Sequence, residues 1–184
     1  MGKQFDSLSD DHIKTITAQH MFFCATAAPD GLVNVSPKGM DCLRVLGPNR
    51  IAWLNWTGSG NETAGHLQKH PRMTLMWCSF TTRPVILRTY GTARALHRNA
   101  PDWDEMIAHF DDVPQGRQIY DLTIDMVQTS CGYAVPFYEF QGNRDTLSNW
   151  ADGKGEDGIR TYWTERNHTT LDGDPTGIEA NLIK

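Results

Sequence analysis

Short apolar runs separated by turn residues fill the first two thirds of the chain, and several alternate with the period of two expected of strands. Residues 21–28 and 32–36 flank Pro29-Asp30-Gly31, whose proline presets a turn and whose glycine tolerates positive φ, so they predict a hairpin. Its second strand alternates Leu32, Val33, Asn34, Val35 and Ser36 before running into Pro37-Lys38-Gly39, where a proline suits a strand end or edge. Residues 42–46 and 51–56 predict a second hairpin across Gly47-Pro48-Asn49-Arg50. Further strands at 73–80 and 85–96 surround Thr81-Thr82-Arg83-Pro84, and Gly91 inside the longer one predicts a bulge or bend. In residues 119–130, Leu122, Ile124 and Met126 alternate with Thr123, Asp125 and Val127, which predicts a last strand with one buried face.

Helical spacing is local. Ser9, with Asp10 and Asp11 in the following turn and Ile13 and Ile16 three apart, predicts a capped helix ending near His20. Residues 101–110 predict another. Residues 51–67 pass from a strand through Thr57-Gly58-Ser59-Gly60-Asn61 into a helix that Pro71 ends. Such a junction leaves loop and first-turn N–H groups without internal partners, so an anion can dock there. Beyond residue 136 the pattern turns polar, with short helices predicted at 144–150 and 159–165 and a loop at 171–177. We read residues 1–184 as a single domain in which 136–184 form a C-terminal helical and loop appendage. Hairpin-connected strands without β/α alternation favour an antiparallel barrel over a doubly wound parallel sheet.

Composition narrows the function classes. A chain of 184 residues can bury one ordinary core, and a net charge of −5 gives no electrostatic footprint for nucleic acid. The longest apolar stretch, residues 21–28, is far too short to span a bilayer, and no secretory signal precedes it, so a cytoplasmic protein without membrane association is expected. Cys24, Cys42, Cys78 and Cys131 show no paired spacing and are expected to be buried and reduced.

Sharper motifs fail on named residues. Gly58-Ser59-Gly60 lacks the last small residue of a dinucleotide fingerprint, since Thr63 stands there. Gly60 and Gly65 have P-loop spacing, yet His66 and Leu67 replace the lysine and hydroxyl residue that hold phosphate and Mg²⁺. His66 and His70 lack a third ligand, so they are read as solvated histidines and no metal site is expected. No catalytic constellation stands out, which suits a protein whose cofactor carries the chemistry.

Val33-Asn34-Val35-Ser36-Pro37-Lys38-Gly39, Arg44-Val45-Leu46-Gly47, Trp53-Leu54-Asn55-Trp56-Thr57-Gly58-Ser59-Gly60-Asn61, His70-Pro71-Arg72-Met73 and Leu87-Arg88-Thr89-Tyr90-Gly91-Thr92-Ala93 follow in that order. Over residues 5–135 this series resembles the pyridoxamine 5′-phosphate oxidase-like family of flavin-binding proteins. The resemblance implies a mainly β protein with peripheral helices, a split antiparallel β-barrel that forms a homodimer with FMN in clefts between subunits. It implies that Ser36, Pro37, Lys38 and Gly39 meet the cofactor, Lys38 near the phosphate. Trp56, Thr57, Gly58 and Ser59 would lie along the ring and ribityl chain, Asn61 and Thr63 at the phosphate turn, and Arg88 near the cofactor. Gln128, Ser130 and Cys131 are guessed to wall the substrate side.

Two departures qualify the resemblance. Glu62 and Thr63 stand where pyridoxamine phosphate oxidases proper carry a basic pair, and residues 136–184 lack their basic substrate-binding segment. Oxidation of pyridoxamine 5′-phosphate is therefore not expected. The reading is an FMN-dependent oxidoreductase passing a hydride or electrons through flavin N5 to or from an unknown small molecule. Its alternatives are an F420-dependent reductase, a haem-binding split barrel and a non-catalytic flavin-binding module.

Overall fold

The computed structural model describes residues 2–111 and 115–182. Within them β1 (Lys3–Phe5), β2 (Met21–Ala27), β3 (Val33–Gly39), β4 (Leu43–Gly47), β5 (Arg50–Trp56), β6 (Arg72–Cys78), β7 (Val85–Leu96) and β8 (Gly116–Cys131) form one antiparallel sheet. Its order is β3-β2-β6-β7-β8-β5-β4, with β1 added on β8. The path leaves β3 and β4 at its two ends, yet Phe22 of β2, Trp53 of β5, Trp77 of β6 and Tyr120 of β8 share one core. The sheet therefore curls around a common interior without closing, which is the split barrel expected from the sequence.

β8 organises this curl. It pairs with β7 over Ile119 to Cys131, with β5 over Gly116 to Thr123, and with β1 over Val127 to Thr129. The single buried face expected for this strand holds only over Thr123, Ile124 and Asp125: beyond them Val127, expected on the open face, is fully buried and Met126 only half-buried, while before them residues 116–122 are buried in succession. The reason is a second apolar layer. Trp103 and Met106 of the helix Trp103–Ile107, with Phe110, pack on Ile119 from the side opposite the barrel core. At Gly91 the β7–β8 register shifts, and a Cβ there would overlap the Thr123 carbonyl. The bend predicted at this glycine thus brings two backbones to a distance no side chain permits.

Local turn chemistry placed the hairpins within a residue or two. Pro37 lies inside β3 rather than at its end, opposite Phe23, and is tolerated because β3 is an edge strand. The helix α1 (Asp10–Thr17) is capped by Ser9, whose Oγ accepts from His12 N–H while His12 Nδ1 accepts from Ser9 N–H. Helix α2 (Glu62–Lys69) follows the loop after β5, and α3 denotes Trp103–Ile107. The two helices expected late in the chain both form, as the two halves of α4 (Thr146–Arg166), which meet at a break where Gly155 leaves the helical region with φ 65°. A 3₁₀ turn, Ile178–Asn181, packs with Ala151, Ile159 and Trp163 of α4 in a small cluster of its own.

The cysteines are free, but only Cys24 and Cys42 are buried. Cys78 is half-buried and Cys131 exposed, which corrects the uniform burial expected. Burial pushes the Cys24 thiol up to about 12 and Cys42 up to about 11, so both are protonated near neutrality. Among the described residues no helix is long and apolar enough to cross a membrane.

Candidate functional site

A cleft of about 530 Å³ opens between the edge strand β3, the loop after β5, the start of α2 and the first residues of β8. Among the residues expected from the sequence, Ser36, Pro37, Lys38, Gly58, Ser59, Asn61 and Thr63 all line it. Gly39 faces a separate surface hollow beside Met40 and Trp150. Trp56 packs against both apolar layers. Thr57 is fully buried beneath the loop, where its Oγ1 donates to the Gln115 carbonyl at 2.7 Å. Arg88 lies on β7 and donates to Ser130 Oγ at 3.3 Å, while Gln128 accepts from the Tyr90 hydroxyl. Neither Arg88 nor Gln128, Ser130 and Cys131 line the cleft of their own chain.

The loop is held from below by Arg117, which no sequence motif marked. Its guanidinium is buried, donating through Nη1 to Asn167 Oδ1 at 2.6 Å and Gly58 O at 3.3 Å, and through Nη2 to Gly60 O at 2.6 Å. With the Asn55 carboxamide turned so that its oxygen faces Arg117, Nε also donates, at 3.0 Å. Burial, without a carboxylate among these partners, lowers Arg117 to about 10. The signal in the sequence was thin: one arginine on a strand whose neighbours are buried.

Asn167, just past α4, completes the underside. Its Nδ2 donates to Gly58 O at 3.0 Å and Ser59 O at 3.4 Å. The carbonyls of Gly58, Ser59 and Gly60 therefore all point toward Arg117 and Asn167. In a planar trans peptide the N–H points opposite the C=O, so the N–H groups of Ser59, Gly60 and Asn61 turn the other way. Those of Glu62 and Thr63 belong to the first turn of α2, which no side chain caps. Among the described residues none of these N–H groups has a protein acceptor. The loop and helix start thus form a concave array of donors at the positive end of a helix.

Lys38 faces this array from β3. Its Nζ is 3.5 Å from the Asn55 carboxamide and 5.2 Å from the Trp53 ring centroid. Burial, and then the charge of Arg117, hold its ammonium below the usual lysine range. Glu62, the carboxylate on the cleft rim, is turned aside: its Oε2 accepts from Leu171 N–H at 3.0 Å. Asn61 Oδ1 and the Tyr120 hydroxyl are buried with no protein partner. Two cations, a fan of N–H donors and a withdrawn carboxylate make a site for a polyanionic group.

His66, expected to be solvated, is buried instead, with Nδ1 3.1 Å from Thr26 Oγ1. It packs under α2 against β2. No cluster of metal-ligating side chains occurs among the described residues.

A split antiparallel barrel with an anion-accepting loop on one side defines the class of protein. The sequence pattern described as pyridoxamine 5′-phosphate oxidase matches residues 8–131, and the chain belongs to that family. It is 32% identical over 191 residues to the pyridoxamine 5′-phosphate oxidase family protein ustO of Aspergillus flavus, spanning 93% of this chain and 76% of that one. Among solved structures, a candidate pyridoxamine 5′-phosphate oxidase of Lactobacillus delbrueckii superposes with TM-score 0.54 at 18% identity, over 67% of this chain and 94% of its own. The HupZ protein of Group A Streptococcus superposes with TM-score 0.53 at 14% identity, over 66% and 98%. At such identities the two structures show a common fold alone.

Proposed function

We propose that the protein is an FMN-dependent oxidoreductase acting on a small organic molecule or a nicotinamide cofactor. The observation that carries this reading is the fan of unpartnered N–H groups at residues 59–63, opposed by Lys38 across the cleft. A phosphomonoester fits that array in charge and in donor number, and Asn61 and Thr63 add side-chain polar atoms beside it. Family membership supplies the rest of the argument, since it points to flavin as the phosphate carrier. When bound, the flavin supplies hydride or electron transfer through N5. The chain binds and orients it: Lys38, Ser59, Asn61, Thr63 and the α2 N-terminus hold the phosphate, and Ser36, Pro37 and Gly58 border the remainder.

We place the working unit as a homodimer. The edge strand β3 leaves Val33 72% and Val35 60% exposed beside the cleft-lining Asn34 and Ser36, an apolar edge that a second copy would cover. Gly39 and Arg88, outside the cleft of their own chain, would then serve at the interface. Haem gains no support, because no histidine is among the cleft residues. The test is the absorption spectrum of the purified protein before and after reconstitution with FMN, followed by anaerobic addition of NADH or NADPH. Flavin bands that bleach support the enzyme. Bands that never bleach with any donor identify a passive binder, and failure to take up FMN while F420 or haem binds would overturn the reading.

A further inference from the structure

The C-terminal segment does more than cover the barrel, because its polar contacts converge on the anion loop. Trp163 Nε1 donates to Thr57 Oγ1 at 2.7 Å, Asn167 Nδ2 to the carbonyls of Gly58 and Ser59, and Leu171 N–H to Glu62 Oε2 at 3.0 Å. Asn61 Nδ2 donates in return to the Asn167 carbonyl at 3.3 Å. Asn167 is itself fully buried and saturated: besides these bonds its Oδ1 accepts from Arg117, its carbonyl from Thr176 Oγ1 at 2.5 Å, and its N–H donates to Trp163 O at 3.0 Å. Gly65 of α2 sits against Thr170, so the helix and the segment are in direct contact.

We infer that residues 163–171 are a clamp that presents the anion loop, with Asn167 as its positioning residue, and that this clamp makes the cleft prefer a phosphorylated flavin over the same flavin without phosphate. The inference rests on the flavin reading above. Its physical core is that a glycine-rich loop has many backbone states, and that a donor array binds a phosphate well only when ordered beforehand. Asn167 fixes the direction of successive peptide planes by accepting no alternative: its two amide hydrogens are matched to two carbonyls whose reversal would carry the Ser59 and Gly60 N–H groups out of the cleft. It also ties Arg117, so the cation and the loop move together.

The test compares FMN with riboflavin, each titrated against the full chain by flavin fluorescence quenching. Wild type is expected to bind FMN more tightly than riboflavin. Asn167→Ala should weaken FMN by about tenfold or more, the loss of one to two buried hydrogen bonds, and leave riboflavin within about twofold. Asn167→Asp guards against a failure to fold: it keeps the volume and the acceptor for Arg117 but sets an oxygen against the Gly58 and Ser59 carbonyls. It should retain the wild-type melting temperature to within a few degrees and show the same selective loss of FMN. Equal weakening of both ligands, or an FMN preference unchanged in both variants, would overturn the assignment to Asn167 alone. A wild-type protein that binds neither flavin would overturn the flavin reading and this inference together.

Discussion

Lys38 and Arg117 share a cleft but not a task. Arg117 spends its donors on carbonyls and on Asn167, whereas Lys38 contacts a carboxamide and an indole face and so stays free to meet an anion. Substituting Lys38→Ala should lower FMN retention by about tenfold or more, while Glu62→Ala, whose carboxylate is occupied by Leu171 N–H, should change it far less. Equal flavin content in the two purified variants would contradict this. Because the Lys38 pKa in the free protein lies below the usual lysine value, a bound anion favours the proton it carries. FMN affinity should therefore fall as pH rises through that lowered pKa, and Lys38→Met should flatten the dependence in titrations run from neutral to alkaline pH. The sign for folding is opposite: a depressed ammonium pKa means the charged form costs stability, and the cost is relieved as pH rises. Lys38 was legible from the sequence because the Ser-Pro-Lys-Gly run is local. Arg117 was not, since its partners at Gly58, Gly60 and Asn167 lie 59, 57 and 50 residues away and spacing carries no trace of them.

Hairpins were the most legible elements, because proline, glycine and asparagine dictate turns through their own φ preferences. What failed was whatever depended on a neighbour. β1 is three exposed residues that exist as a strand only because β8 offers an edge to pair with. The two halves of α4, by contrast, were legible as separate helices because Gly153, Gly155 and Gly158 interrupt the pattern, while the cluster of Ala151, Ile159 and Trp163 that packs them together was not. The shared strand β8 also carries the ionic joint of the sheet. Asp121 accepts from Arg50 of β5 at 2.8 and 3.0 Å and from Arg94 of β7 at 3.0 and 3.2 Å. Burial pushes the Asp121 carboxyl up, but the hydrogen bonds of both arginines outweigh it and hold it below the usual range. Its stabilisation is therefore present above the ordinary carboxylate pKa and is lost as pH falls through the lowered one. Asp121→Asn should cost about 1–2 kcal/mol at neutral pH, since the arginines remain partly solvated, and should shrink the acid-side loss of stability measured by urea unfolding. Gly91→Ala should cost about 3 kcal/mol or more by the same measurement, as the Thr123 carbonyl cannot retreat without breaking the β7–β8 register.

At the scale of the whole molecule, the barrel class was legible from hairpin count and the want of β/α alternation, and the family from motifs within residues 8–131. The place of the C-terminal residues was not, since the sequence marked them only as an appendage and assigned them no contact with the cleft. Trp163, Asn167 and Leu171 reach back across 106, 109 and 109 positions to Thr57, Gly58 and Glu62, contacts that a polar, glycine-broken pattern does not announce. Pairings of such separation form late, because the loops they close are entropically costly. During synthesis, then, the barrel strands leave the ribosome well before the residues that orient the Gly58–Gly60 peptides. A nascent chain can therefore pair its strands before the segment that orders the anion loop exists outside the ribosome, so on the function proposed above ligand capture would wait for residues 163–171.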